Sequence, residues 1–206
     1  MSQPPQFRSD DPAIAAELMR RHAFATLVST DDQGFPFVTH LPLHLEQREG
    51  RFVLHGHVAK PNPHWRHLQA WPQGLALFMG PHAYQSPRIY PDAQRVPSWN
   101  YLAVQCKVRA RLVDSVEAKD ALLKKLIADH EPAYAAQWQG LPEDYTRKML
   151  AGIMGLELEV QEWTCKLKVN QHRPESHARM RELYAAGNAD ERELAEWMQR
   201  LGLGGA

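Results

Sequence analysis

Between Thr39 and Trp65 the chain gathers residue types that can hold an anion. His55 and His57 stand two positions apart in a run that reads as a strand, so both side chains point to one face. Lys60 and Asn62 follow. Pro63 suits the first turn of a short helix from His64 to Trp71, and Asn62 can cap it, which turns the helix's positive end toward the loop carrying Lys60. A dianionic phosphate calls for Lys, Arg or His donors together with backbone N–H groups near a helix start. His55, His57, Lys60 and Asn62 supply that set. A planar ring calls for apolar faces and backbone hydrogen bonds from a strand, and Leu41, Pro42, Trp99 and Tyr101 supply those. The pattern fits a phosphorylated, flat, aromatic ligand. Two plainer readings stay open on spacing alone: a solvated Lys60, and rim packing by Trp99 and Tyr101.

Other chemistries find less support. His55 and His57, with His40 and His44 on the neighbouring strand, form the one histidine group from which a metal site can be drawn. Such sites usually include a carboxylate or thiolate. None is read beside these histidines, and no metal is expected. No Gly-rich fingerprint follows a strand, no phosphate loop of the GxxxxGK type occurs, and there is no GxSxG elbow or CxxC pair. No catalytic acid or base stands out.

The stretch from Gly80 to Val104 carries Pro81, Pro87, Pro91 and Pro97, which exclude a helix, and Tyr84, Tyr90, Trp99 and Tyr101, which gain by burial. It reads as a long structured loop between two strands. Such loops are built either for binding or as a packed Ω-type closure.

The elements that must position these groups follow from periodicity. Asp10 or Asp11 caps a helix ending near His22. A meander of antiparallel strands comes next, with Phe35, Phe37, Thr39, Leu41, Leu43 and Leu45 on one face and Val38, His40, His44 and Glu46 on the other. A long half-buried strand runs from Leu102 to Leu112, with Lys107, Arg109 and Arg111 on its polar face. Asp114 to Glu117 has capping-box spacing for a further helix. Another helix begins at Pro142, a last strand holds Met154 to Gln161, and two charged helices span about 175–186 and 190–201. The order implies an α+β protein on an antiparallel barrel or strongly curved sheet. It reads as a single domain over residues 1–206 with a helical C-terminal extension at about 175–201.

Lys+Arg and Asp+Glu are equal at 24 each, so no overall field draws the chain to nucleic acid or an anionic membrane. Two cysteines, no apolar leader and no membrane-length apolar run lead to the expectation of a soluble cytoplasmic protein.

Three ordered motifs carry a family resemblance: His57-Val-Ala-Lys-Pro-Asn-Pro-His-Trp65, Phe78-Met-Gly-Pro-His-Ala-Tyr-Gln-Ser-Pro87 and Val96-Pro-Ser-Trp-Asn-Tyr101. Phe24-Ala-Thr-Leu27, Thr39-His-Leu-Pro42 and Lys168-Val-Asn-Gln-His-Arg173 extend the match from about Phe7 to Arg173. The chain resembles the PaiB-type family of FMN-binding negative transcriptional regulators. The resemblance implies an antiparallel split β-barrel with peripheral helices, related to pyridoxamine-phosphate-oxidase-like proteins, paired as a homodimer with FMN at the subunit interface. By the same resemblance Thr39, His40, Leu41 and Pro42 line the isoalloxazine and ribityl chain. His55, Gly56, His57, Lys60 and Asn62 surround the phosphate, and Trp99, Asn100, Gln171 and Arg173 approach from later strands or from the partner subunit. Lys60 stands where the family commonly has Arg, which keeps the charge and loses the bidentate fork. Ile89 and Gln105 also depart from the family pattern, which commonly has an aromatic residue and His at those positions.

The expected function is an FMN-binding protein of the PaiB type, acting as a transcriptional regulator or a flavin-dependent redox protein. The alternatives are a direct DNA-binding repressor using Lys107, Arg109 and Arg111, and a haem- or small-molecule-binding split barrel.

Overall fold

The structure, a computed structural model, describes residues 1, 4–92 and 94–204. In chain order its elements are β1 (Arg8–Ser9), α1 (Pro12–Arg21), β2 (Phe24–Thr30), β3 (Pro36–Pro42), β4 (His44–Arg48), β5 (Arg51–Ala59), α2 (His64–Ala70), β6 (Gln73–Gln85), β7 (Ser98–Val113), α3 (Val116–His130), α4 (Ala135–Gln139), α5 (Glu143–Ala151), β8 (Ile153–Lys168), α6 (His177–Ala185) and α7 (Ala189–Arg200). The residues group into two units. One, here the barrel unit, comprises Met19–Phe78 and Gln105–Trp163; the other, the terminal unit, comprises Met1–Leu18, Met79–Val104 and Thr164–Ala206.

The barrel unit grows from the alternation between Phe35 and Leu45. Leu41, Leu43 and Leu45 are buried as the period of two requires. The strand order is β3-β2-β6-β7-β8-β5-β4. Its two outer members, β3 and β4, are consecutive in sequence and joined by Leu43 alone, so the sheet closes on itself. Pro42 falls on the last residue of β3, where a missing donor is tolerated. Gly56 of β5 lies against this junction. A Cβ there would come within 2.7 Å of Leu43 Cδ2 and 3.0 Å of the Pro42 carbonyl oxygen, so only glycine lets the strand pass. Leu27, Leu54, Val58, Ala76, Phe78, Cys106, Val108, Leu156 and Leu158 complete a dry apolar interior.

Helix α3 starts one residue later than its sequence pattern implies. The Ser115 hydroxyl, not Asp114, accepts the Ala118 N–H at 3.2 Å, which leaves the Asp114 carboxylate available for other partners.

The terminal unit holds the short β1, paired with β8 through Arg8↔Lys166 and Ser9↔Cys165, and the helical extension. The extension forms where the sequence places it. Asn188 and Glu191 make a reciprocal capping box at the start of α7, and Arg200 clasps Glu17 at 2.6 and 2.7 Å. The stretch read as one long loop is shorter in the structure. β6 runs on through Gly80 to Gln85 and β7 begins at Ser98, so the connection spans 86–97. The four prolines argue against a helix there, yet Pro87 opens one short 3-10 turn, Pro87–Ile89, where a first-turn proline is tolerated, and Pro81 lies within β6.

Among the described residues, no helix is long and apolar enough to cross a membrane.

Candidate functional site

The turn from β5 into α2 brings several of the expected residues together in the barrel unit. Thr39 lies on the inward face of β3. Its hydroxyl oxygen accepts a hydrogen bond from Asn62 Nδ2 at 3.2 Å and lies 2.7 Å from His64 Nδ1. Asn62 Oδ1 in turn accepts the His64 backbone N–H at 3.0 Å, which fixes the orientation of the amide. A threonine hydroxyl has one proton to give. Given to His64 Nδ1, that proton leaves the imidazole's own hydrogen on Nε2. His64 Nε2 is buried and without a partner among the described residues. Burial, and then the nearby His67, pull the His64 pKa down to about 4, so the ring is neutral at pH 7. The sequence reading passed over His64. The signal was there, in a histidine in the first turn of a helix beside the inward-pointing Thr39.

Lys60 stands just beyond the end of β5. Its Nζ lies 3.1 and 3.2 Å from the two Asp114 carboxylate oxygens and 5.9 Å from the centre of the Trp65 ring. The Trp65 indole N–H donates to the Lys60 carbonyl at 3.0 Å, and the Arg66 guanidinium sits 4.7 Å over the same ring. His57, opposite Gly155 on β8, has its Nδ1 buried without a partner among the described residues, and burial lowers its pKa. α2 is under two turns long, and Asn62 already takes up its first N–H.

His55 points elsewhere. Its Nε2 lies 2.9 Å from Glu46 Oε2, and the same carboxylate accepts a short contact from Lys125. The carboxylate not read beside the histidines is thus Glu46, one strand over. Lys125 first, then Arg48, hold its pKa down to about 2. His44 Nδ1 pairs with Asp129 Oδ2 at 2.5 Å. Each histidine of this pair is bound to a carboxylate, and among the described residues no group of three or more ligand-type side chains is arranged for a metal.

The four residues expected along the flavin ring divide by parity. Thr39 and Leu41 turn inward, and Leu41 is core. His40 turns outward, where its Nδ1 lies 3.0 Å from Thr26 Oγ1 and its ring stacks on Phe24 at 6.4 Å. Pro42 is half-buried on the same outward side.

The terminal unit contains the remaining four. Trp99 is 54% exposed, with Tyr84 edge-on at 6.1 Å, and its carbonyl accepts from Lys168 Nζ at 2.7 Å. Asn100 is fully buried, donating to Tyr184 Oη at 2.9 Å and Met180 Sδ at 3.1 Å, while its Oδ1 has no partner among the described residues. The Gln171 side chain folds back on the Val169 N–H and the Leu167 carbonyl. The Arg173 backbone closes the turn, accepting from Ser176 Oγ at 2.8 Å.

The exposed row on β7 is largely neutralised. Lys107 pairs with Glu162 at 2.7 Å and Arg111 with Glu157 at 2.9 Å. A 470 Å³ cleft beside it mixes Arg48, Arg51, Arg109 and Arg111 with Glu49, Glu157 and Glu159, and a 640 Å³ groove lies along α3, α4 and α5. Neither is lined by an expected flavin residue. Their residues show crossed charges and exposed helix faces, and the donor chemistry at Lys60 carries more weight than their size.

The family described as "Putative FMN-binding domain" matches residues 1–162. The chain belongs to this FMN-binding family. The cofactor that goes with the membership is FMN. The protease synthase and sporulation protein PAI 2 of Bacillus subtilis strain 168 is similar at 30% identity over 184 residues, 88% of each chain, which bears out the PaiB-type resemblance. Among solved structures, the flavocytochrome Anf3 of Azotobacter vinelandii is similar at a TM-score of 0.63 and 16% identity, over 80% of this chain and 70% of that one. The FAD and haem binding protein of Mycobacterium smegmatis follows at a TM-score of 0.60 and 20% identity, over 79% and 74%. These two share the fold, in keeping with the expected α+β split barrel. The donor set fits the cofactor's charge: Lys60, Asn62 and the His57 nitrogen, unpartnered among the described residues, suit a phosphate, and among the described residues Asp114 is the acid that Lys60 meets.

Proposed function

We propose that this PaiB-type flavoprotein holds the FMN phosphate at residues 57–62 and lays the isoalloxazine along 39–42, and that it acts as a flavin-dependent regulator of transcription. The observation that carries the reading is the Lys60 ammonium at the end of β5, in one segment with Asn62 and with His57, whose buried Nδ1 has no partner among the described residues, in a chain of an FMN-binding family. FMN, when bound, supplies hydride and electron transfer at its ring. The protein's part is to bind and orient it. Lys60 supplies charge to the phosphate, Thr39 and His64 fix Asn62, and Gly56 lets β5 pass close beneath the 41–43 link. Phe24 and Val38, 71% and 48% exposed on β2 and β3, are apolar side chains that a second copy of the chain would cover, which supports a homodimer.

The regulatory part rests on the family resemblance and on the Bacillus relative named for protease synthesis and sporulation. Direct DNA contact through β7 has less behind it, because Glu162 and Glu157 already occupy Lys107 and Arg111. Purified protein titrated with FMN tests the reading. The expected result is quenching that saturates near one FMN per chain, with a flavin absorption spectrum and a dimer's elution volume. A colourless protein that leaves FMN fluorescence unchanged, or a haem Soret band in its place, would overturn it.

A further inference from the structure

Asp114 lies between β7 and α3. Ser115 takes the capping role, so the Asp114 carboxylate is left to meet two ammonium groups. Its Oδ1 lies 3.0 Å from Lys119 Nζ and 3.1 Å from Lys60 Nζ, and its Oδ2 lies 3.2 Å from Lys60 Nζ. The two lysines differ in kind. Lys119 is 3% exposed and also donates to the Ile153 carbonyl at 3.4 Å. A buried ammonium needs its counter-charge, so Lys119 anchors Asp114. Hydrogen bonds from Lys119 first, and then Lys60, keep the Asp114 carboxyl below its ordinary range, so the anchor is ionised at neutral pH. Lys60 is the mobile partner. Its side chain is 36% exposed on a flexible stem, while its backbone N–H is pinned to the Gly152 carbonyl at 2.8 Å.

A lysine lacks the rigid fork by which an arginine aligns itself on a phosphate. Its grip depends on where the ammonium is held. That ammonium carries three N–H donors. Asp114 engages one side of the group, which leaves donors for phosphate oxygens. We infer that Asp114 is a positioning residue for the flavin phosphate: anchored by Lys119, it holds the Lys60 ammonium at the end of β5. The inference rests on the reading that Lys60 receives the phosphate.

Riboflavin lacks that phosphate, and the contrast between the two flavins supplies the test. Fluorescence titrations of the full chain with FMN and with riboflavin give the preference of each variant. Asp114→Asn is expected to weaken FMN by about three- to tenfold, the scale of one displaced charge contact, and to leave riboflavin unchanged. Asp114→Glu restores most of the loss. Unchanged or tighter FMN binding, or an equal loss for both flavins, overturns the inference. Lys60→Met separates it from the reading beneath it. If Lys60→Met abolishes the FMN preference and Asp114→Asn does not, the positioning role fails and the phosphate site stands. If Lys60→Met leaves the preference intact, the phosphate site fails and the inference with it. Should Asp114→Asn strand Lys119 and unfold the chain, Asp114→Asn combined with Lys119→Met removes both charges and carries the same expectation.

Discussion

Two sets of polar residues from the family motifs differ in how their donors are used. In the barrel unit, the segment from His57 to His64 leaves polar capacity over: His57 Nδ1 and His64 Nε2 are without partners among the described residues, and the Lys60 ammonium is only partly engaged. In the terminal unit, Asn100 and Gln171 spend their donors inside the unit, Asn100 on α6 and Gln171 on the chain beside it. Asn170, with φ at 62°, does the same, donating to Tyr90 and Ser176 at 2.9 and 2.8 Å. What separates them is the donors: those of Asn100 and Gln171 are taken up, although Asn100 Oδ1 is without a partner among the described residues, and a donor already engaged has little left for a ligand.

Asn100 offers the largest test of that contrast. Asn100→Ala removes the donor to the buried Tyr184 hydroxyl, which keeps only its 3.4 Å bond to the Tyr84 carbonyl, and is expected to cost about 2–3 kcal/mol of stability. Urea denaturation would show this, while FMN affinity at a temperature where the variant is folded should hold. An FMN loss without a stability loss would break the comparison.

Next comes His64. Its folded pKa, about 4, lies below the ordinary 6.5, so the folded state refuses a proton that the unfolded chain accepts. The stability this gives is whole above about pH 6.5 and lost as the pH falls toward 4, a decline of about 2–3 kcal/mol between pH 7 and pH 4.5. Burial lowers His55, His57 and His172 in the same direction. Urea midpoints at pH 7 and pH 4.5 should therefore fall apart in the wild type and draw closer in His64→Gln. Identical pH slopes would show that His64 titrates freely.

Lys60→Met is a smaller change, with FMN binding weakened by about tenfold, or about 1.4 kcal/mol, and little change in melting temperature, since its partner Asp114 keeps Lys119. The smallest effect is expected at Arg111. Its pair with Glu157 is surface-exposed, and Arg111→Ala should cost less than about 1 kcal/mol and leave FMN binding untouched.

Much of the fold was legible in the sequence. The alternation from Phe35 to Leu45 placed Thr39 and Leu41 inward and His40 outward, because strand parity is a local property. Leu43 as the link that closes the sheet was not legible, since closure depends on β2 pairing with β6 and β5 with β8, strands far apart in sequence. The site was legible in part. Asn62 was read as a helix cap, and its side chain does serve the His64 N–H. Asp114 was read only as part of a capping box. Its bond to Lys60 joins residues 54 positions apart, a contact that no local pattern reveals. His55 was grouped with His57 correctly by strand face, yet Glu46 and Lys125 claim it from other elements.

The central claim is that residues 57–62 receive a flavin phosphate. Side-by-side titration of the wild-type chain with FMN and riboflavin, at low and high salt, tests it most directly. FMN is expected to bind tighter than riboflavin by about tenfold or more, with the gap narrowing as salt screens the charge. Equal affinities at both salt concentrations, or no binding of either flavin, would contradict it.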